Sequence, residues 1–97
     1  MKRDHVLAIV AQHQAELKAM GVKSLALFGS VARDEAKPDS DVDFLVEFDD
    51  GQNDLFGFSR VRLYLQDILG CSVDMGSQGD LRTELRDRVL REKINAF

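Results

Sequence analysis

Two segments of this chain share one pattern: apolar residues at helical spacing, then a glycine, then a short apolar run. The first segment places apolar side chains along residues 6–20 and meets Gly21, and the second places them along 58–69 and meets Gly70. The runs that follow, SLALF and CSVDM, are too short for helices and are typical of strands. Because glycine commonly ends a helix, the pattern predicts helices that alternate with strands in a small layered fold.

The remaining segments extend this alternation over the whole chain. Gly29-Ser30 turns the chain after the first strand, residues 31–35 are predicted to form a short helix, and residues 41–48 (DVDFLVEF) form a largely buried strand. We therefore predict an α/β (α+β) fold of order α-β-α-β-α-β-α, in which helices cover a small mixed β-sheet in two or three layers. Further expected positions are Asp4 and Asp54 as N-caps, and Leu81, Leu85, Val89 and Ile94 along the last helix.

Length and composition predict one globular domain over residues 1–97. Apolar residues make up 44% and charged residues 31%, and no apolar run approaches the ~20 residues of a membrane-spanning helix. The N-terminus carries an acid at position 4 and no small-residue cleavage site, so no signal peptide is expected. A lone cysteine, Cys71, is expected to be a small buried hydrophobe and fits a reducing compartment. We expect a cytoplasmic protein that does not bind membranes.

The net charge of −4 is unevenly distributed. Residues 34–54 carry nine acids and one base, Lys37, whereas residues 55–97 carry seven bases and six acids. Proteins that bind nucleic acid through its phosphates usually present a basic surface, so direct nucleic-acid binding is not expected. A concentration of negative charge suits a cation instead.

Three aspartates are candidate ligands for that cation. Asp41 and Asp43 are two residues apart in a predicted strand, so their side chains point to the same face. Two charges roughly 6 Å apart repel by about 3 kcal/mol at an effective dielectric near 20, and a divalent cation between them offsets that cost. Mg²⁺ prefers hard oxygen ligands of this kind together with substrate phosphates. Asp74, an isolated acid between Val73 and Met75, is the candidate third ligand.

A candidate phosphate site precedes these carboxylates. Gly29-Ser30 begins a helix directly after a strand, where free N–H groups and the positive end of the helix dipole attract anions. Gly29 lets a phosphate approach the backbone, the Ser30 hydroxyl adds a donor, and Arg33 follows one turn later. Ser40 either contacts the nucleotide or caps the turn before the strand. The phosphate cradle and the carboxylates together predict a site for a nucleotide–metal complex.

A calcium-binding loop is the alternative interpretation of the acidic residues. Asp39, Asp41 and Asp43 match positions 1, 3 and 5 of such a loop. That loop requires glycine at position 6 and a bidentate glutamate at position 12. Phe44 and Asp50 stand at those positions, and the apolar run continues as a strand, so this interpretation is excluded.

Several basic residues keep two interpretations. Arg33 either binds an anion or pairs on the surface with Asp34 or Glu35. Four arginines, at positions 82, 86, 88 and 91, either form a solvated face of the last helix or contact a partner. His5 and His13 are eight residues apart on one predicted helix, too far for a shared metal, and are expected to be ordinary helix residues.

The motif resembles the nucleotidyltransferase superfamily related to DNA polymerase beta, whose hallmark is Gly-Ser, ten residues, and Asp-x-Asp. Gly29, Ser30, Asp41 and Asp43 have that spacing. The longer string GSVARDEAKPDSDVDFLVEF is similar to the minimal nucleotidyltransferases, whose pattern includes Gly-Ser-x-Ala-Arg and Ser-Asp-x-Asp. Asp74 matches the third metal-binding carboxylate of that family, in its later strand. The resemblance covers nearly the whole chain.

The resemblance implies an enzyme of defined chemistry. Minimal nucleotidyltransferases are commonly antitoxins paired with a helical HEPN ribonuclease toxin, and several transfer AMP from ATP to a tyrosine hydroxyl of that toxin. By this resemblance the chain is expected to be a type VII antitoxin with ATP as substrate. Two Mg²⁺ ions would be held by Asp41, Asp43 and Asp74, with Mn²⁺ as the alternative metal. The nucleotide would be bound by Gly29, Ser30, Arg33 and Ser40.

Two other functions remain open at the level of sequence. The protein could neutralise its toxin by binding and occlusion alone, although occlusion does not require three carboxylates. It could also transfer a nucleotide to a small molecule, although larger relatives have an additional domain that closes over the substrate and this chain has no room for one.

Overall fold

The structure is a computed structural model that describes residues 2–35, 41–49, 55–77, 87 and 90–97. In chain order its elements are α1 (Arg3–Gln12), α2 (Gln14–Ala19), β1 (Val22–Phe28), α3 (Gly29–Ala32), β2 (Val42–Phe48), α4 (Leu55–Leu69), β3 (Val73–Gly76) and β4 (Ile94–Asn95). Residues 87 and 90–92 are also helical. No helix within the described ranges has the length and apolar character needed to cross a membrane.

The described strands form one mixed sheet of order β3-β2-β1-β4. Strand β1 pairs antiparallel with both β2 and β4, whereas β2 and β3 are parallel. Parallel neighbours need a connection that returns to the same end of the sheet, and α4 lies in that connection. The predicted fold class, a small mixed sheet with helices packed on it, is confirmed.

The hydrophobic core lies between one face of the sheet and helices α1, α2 and α4. Alternate residues of β2, among them Val42 and Phe44, are buried in it and pack with Leu65 of α4. Because successive strand residues point to opposite faces, Asp43 and its register partner Asp74 project from the other face. The core therefore fixes the strands from one side while the acidic side chains lie on the other.

The first predicted helix is in fact two helices. Helix α1 begins at Arg3 with Lys2 as N-cap, so the predicted N-cap, Asp4, is wrong and lies in the first turn. The break falls at His13, whose backbone N–H donates to Val10 O at 3.0 Å rather than to Ile9 O. The imidazole Nδ1 lies 2.9 Å from Ile9 O and, because a carbonyl can only accept, donates to it. The side chain thus replaces the regular helical hydrogen bond, which periodicity alone cannot reveal.

The last predicted helix does not reach Ile94. That residue lies in β4 and pairs with Leu27 of β1, so placing it on the helix was wrong. An apolar residue after a helical stretch fits both a helix stripe and an edge strand, and only the partner strand decides between them. The helix predicted over 31–35 is also displaced, because α3 begins at Gly29 and ends at Ala32.

Other predicted positions fall outside the described residues. They are Ser40, the N-cap Asp54, the helix positions Leu81, Leu85 and Val89, and the arginines at 82, 86 and 88. The helix ends at Gly21 and Gly70 are confirmed, with φ of 95° and 69° respectively. Both glycines hold the left-handed conformation that commonly follows a helix.

Candidate functional site

The central strand β2 places Asp43 between two neighbouring strands. Its register partner on the parallel side is Asp74 of β3, and on the antiparallel side it is Phe28, the last residue of β1. Neighbouring strands are roughly 4.8 Å apart, so the two aspartates are adjacent on one face of the sheet. Sequence reasoning proposed Asp74 as a third carboxylate, and the parallel register brings it beside Asp43.

Asp41 lies just outside the strand that was predicted to contain it. Strand β2 begins at Val42, whose backbone N–H donates to Ser72 O at 3.0 Å and ties this point to the start of β3. Asp41 is exposed, whereas Asp43 is partly buried. The two aspartates are therefore not equivalent strand residues, although Asp41 remains within electrostatic reach of Asp43.

Burial and like charge raise the pKa of Asp43 above its ordinary value. Burial is the largest cause, followed by repulsion from Asp74 and then from Asp41, while the positive charge of Arg33 acts in the opposite direction. Each of these causes except Arg33 disfavours a bare carboxylate at this position. A bound cation would relieve the same repulsion, so the electrostatics fit a cation.

A closed metal cage is not preformed here. Among the described residues, no three His, Cys, Asp or Glu side chains lie close enough together to hold a metal ion. Mg²⁺, however, is commonly held by one or two carboxylates together with waters and substrate phosphates. The adjacent Asp43 and Asp74, with Asp41 at the strand entrance, match that open type of site, and their role as ligands stays a prediction.

Gly29 is required by the position of Asp43. Its φ is 77°, a conformation that other residues rarely adopt. A Cβ added at Gly29 would collide with Asp43 Oδ2 and would lie 3.1 Å from Asp43 Cγ. The sequence suggested that this glycine makes room for a phosphate. In the structure, the Asp43 carboxylate fills the space beside Gly29. The absence of a side chain at Gly29 therefore allows Asp43 to pack against the start of α3.

Arg33 follows α3 and is held by two carboxylates. Its Nε donates to Glu35 Oε2 at 3.1 Å and its Nη1 donates to Glu92 Oε2 at 3.3 Å. These two partners raise the pKa of Arg33, Glu35 more than Glu92. Of the two surface partners considered as the alternative to anion binding, Glu35 pairs with Arg33, whereas Asp34 accepts a long 3.5 Å hydrogen bond from Arg3 N. Binding of an anion by Arg33 stays a prediction.

The structure brings together most of the predicted site residues. Asp43, Asp74, Gly29 and Ser30 meet where β1, β2, β3 and α3 converge, and Asp41 and Arg33 are within electrostatic reach of Asp43. Ser40 lies outside the described residues. Glu92 was not anticipated, because it is 59 residues from Arg33 in sequence and no motif marks it.

The cysteine and the two histidines have contacts of their own, although Cys71 lies within electrostatic reach of Asp41. Cys71 is half-buried rather than fully buried and packs against the core, and burial raises the pKa of its thiol. His13 makes an edge-to-face contact with Tyr64, with ring centroids 6.0 Å apart. His5 is exposed on α1.

Comparison with known proteins shows the family to which the sequence is similar. A family model of the nucleotidyltransferase domain matches residues 10–96. The protein adenylyltransferase MntA of Thermococcus cleftensis is 37% identical over 92 residues, which span 94% of this chain and 92% of the relative. The match therefore includes nearly the full length of both proteins.

Solved structures share the fold. One of a candidate minimal nucleotidyltransferase is 38% identical with a TM-score of 0.83, over 97% of this chain and 95% of that one. A chain in the structure of a tri-AMPylated HEPN toxin of Shewanella oneidensis in complex with MNT antitoxin has a TM-score of 0.65 at 18% identity. That match covers 94% of this chain and 71% of the other, and it shows a common fold alone.

Substitution of Gly29 by alanine is expected to destabilise the protein more than the same change at Gly70. Both glycines have positive φ, so both alanines carry a strain of about 1–2 kcal/mol. No atom lies within 4 Å of a Cβ at Gly70, whereas a Cβ at Gly29 meets the Asp43 carboxylate. We expect an additional loss of about 1 kcal/mol or more for Gly29→Ala in urea unfolding. Equal losses in the free energy of unfolding would show that the packing of Asp43 does not require glycine at position 29.

Neutralising Asp43 is expected to stabilise the metal-free protein. Asp43→Asn removes a partly buried charge that Asp74 and Asp41 repel. Because solvent screens a group that is only partly buried, the gain is limited to about 0.5 kcal/mol, which corresponds to roughly 2–4 °C in melting temperature. Thermal melting with a chelator measures it, with Asp67→Asn on α4 as the matched exposed control. If Asp43→Asn lowers the melting temperature and Asp67→Asn does not, the charge of Asp43 does not destabilise the folded protein, which would contradict the proposed repulsion.

Proposed function

The chain belongs to the nucleotidyltransferase family, and on that premise we propose that it is a protein adenylyltransferase that acts as an antitoxin. The proposed reaction transfers AMP from ATP to a tyrosine hydroxyl of a HEPN-type ribonuclease toxin, and the added group inactivates the toxin. The proposed catalytic carboxylates are Asp41, Asp43 and Asp74.

One observation carries the proposal: Asp43 lies beside Asp74 and directly against Gly29. Gly29 precedes Asp43 by 14 positions in sequence. Their contact therefore places the Gly-Ser turn next to the carboxylates in space. A nucleotide whose phosphates lie at Ser30 would therefore have its reacting phosphorus beside the carboxylates. Positioning and charge neutralisation supply most of the catalysis in reactions of this class.

The chemistry is one displacement at phosphorus. The acceptor hydroxyl oxygen attacks the α-phosphorus of ATP and forms a new O–P bond. The bond between the α-phosphorus and the oxygen that bridges to the β-phosphate breaks, and pyrophosphate leaves. The hydroxyl proton passes to one of the three proposed carboxylates, so atoms and charge balance.

Each proposed residue has a defined task in that displacement. Asp41, Asp43 and Asp74 would hold Mg²⁺, which when bound supplies positive charge that stabilises the phosphates and the leaving pyrophosphate. Ser30 donates a hydrogen bond to a phosphate oxygen, and Arg33 offers its guanidinium to the same polyanion. Ser40 is proposed as a further nucleotide contact.

Two relatives support the choice of acceptor and partner. The Thermococcus cleftensis relative is named a protein adenylyltransferase and is matched over nearly its full length. The Shewanella oneidensis structure contains an AMPylated HEPN toxin together with its MNT antitoxin. A toxin hydroxyl is therefore the acceptor we propose before a small molecule, and this partner would complete the acceptor side of the site.

The proposed reaction is tested by the intact mass of a co-expressed HEPN toxin after incubation with ATP and Mg²⁺. Wild-type protein is expected to add the mass of AMP, and Asp67→Asn, a remote carboxylate-to-amide control, is expected to do the same. Asp43→Asn and Asp74→Asn are expected to slow the addition at least about 100-fold, because each removes charge that acts at the reacting phosphate. Peptide mapping then identifies the modified residue.

Two outcomes would contradict the proposal in different ways. No added mass with wild-type protein, while the toxin is still silenced, would support neutralisation by occlusion instead. Added AMP at undiminished rate with Asp43→Asn would remove the carboxylates from the reaction.

A further inference from the structure

The guanidinium of Arg33 is engaged by carboxylates on both of its binding edges. Glu35 accepts from Nε at 3.1 Å, and Glu92 accepts from Nη1 at 3.3 Å. A planar guanidinium offers paired N–H groups to an anion along two edges, one that includes Nε and one that includes Nη1. A phosphate that binds Arg33 through Nε or Nη1 therefore competes with the carboxylate that accepts from that nitrogen.

Glu92 reaches Arg33 because the end of the chain returns to the sheet. It precedes β4 by two residues, and Ile94 of β4 pairs with Leu27 of β1. Leu27 in turn precedes Gly29 by two residues. The short edge strand therefore brings an acidic side chain to Arg33, the residue that follows α3.

The two carboxylates differ in how they can be displaced. Glu35 is two residues from Arg33 and moves with the same turn, where its backbone N–H donates to Ser30 O at 2.8 Å. Glu92 belongs to a separate segment that is fixed by β4. Release of Glu92 can therefore free one edge of the guanidinium while Glu35 continues to hold the other.

The exchange is energetically accessible. The Arg33 and Glu92 side chains are 37% and 33% exposed, so water screens their attraction. Pairs of this kind contribute little and are readily replaced by a more highly charged anion. The charge of Arg33 also lowers the pKa of Asp43, which places the guanidinium within electrostatic reach of the acidic site.

We propose that Glu92 is a positioning residue that competes with the nucleotide phosphates for Arg33. Without nucleotide, Glu92 neutralises and orients the guanidinium. When a triphosphate binds, it takes the Nη1 edge, and Glu92 is displaced. This inference rests on the proposed nucleotide site and adds a residue from outside the motif that sets the affinity of that site.

The competition is tested by calorimetric titration with α,β-methylene ATP and Mg²⁺, a probe that binds without transferring AMP. Glu92→Gln keeps the shape of the side chain but removes its charge, and we expect the Kd to fall about 2- to 5-fold, the size expected of one exposed ion pair. Glu16→Gln on α2 makes the same change in net charge at a remote site and is expected to leave the Kd unchanged. Thermal melting of each variant confirms that it is folded.

A second background separates competition from general charge effects. In an Arg33→Ala protein, Glu92→Gln is expected to change the Kd by less than about 2-fold, because the partner through which it acts is absent. A Kd for Glu92→Gln that is unchanged or higher in the presence of Arg33 would overturn the inference. Failure of the proposed function is a different result: nucleotide binds with the predicted differences, yet no AMP reaches the toxin.

Discussion

The candidate site depends on the parallel register between β2 and β3. That register places Asp43 beside Asp74, and the antiparallel register of β2 with β1 places Asp43 at the end of β1, where Gly29 follows. A slip of one residue in either pairing would turn these carboxylates to the opposite face, into the hydrophobic core. The site is therefore as well defined as the sheet itself.

The core maintains this register against an unfavourable charge arrangement. Phe44, fully buried, follows Asp43, and Val42 precedes it, so apolar burial on one face fixes the carboxylate on the other. Partial burial and repulsion by Asp74 disfavour the charged form of Asp43 at this position, and both raise the pKa of its carboxyl. Local strain of this kind is typical of sites that bind a cation or a substrate.

Much of this arrangement could be predicted from the sequence because local chemistry determines it. The spacing from Gly29 to Asp43, the helix ends at Gly21 and Gly70, and the isolated Asp74 each indicate a position without knowledge of the fold. A small sheet covered by helices also followed from the order of helical and strand patterns. These features depend on residues that are close in sequence or unusual in their setting.

Features that depend on particular contacts, rather than on a repeated local pattern, could not be predicted in this way. The strand at Ile94 exists because β1 offers an open edge, and Glu92 acquires its partner only once that strand is formed. The break at His13 depends on its ring reaching Ile9 O, a local contact that apolar periodicity does not register. The motif likewise does not show that Gly29 must lack a side chain because the Asp43 carboxylate fills the space beside it.

The most direct measurement is the melting temperature of the protein with α,β-methylene ATP, in the presence and absence of Mg²⁺. If Asp43 and Asp74 together hold the cation, Mg²⁺ should raise the melting temperature of the wild-type protein, since a ligand that binds only the folded state stabilises it. The same addition should have little effect on Asp74→Asn. An equal rise in both proteins would contradict the assignment of this carboxylate pair as the metal site.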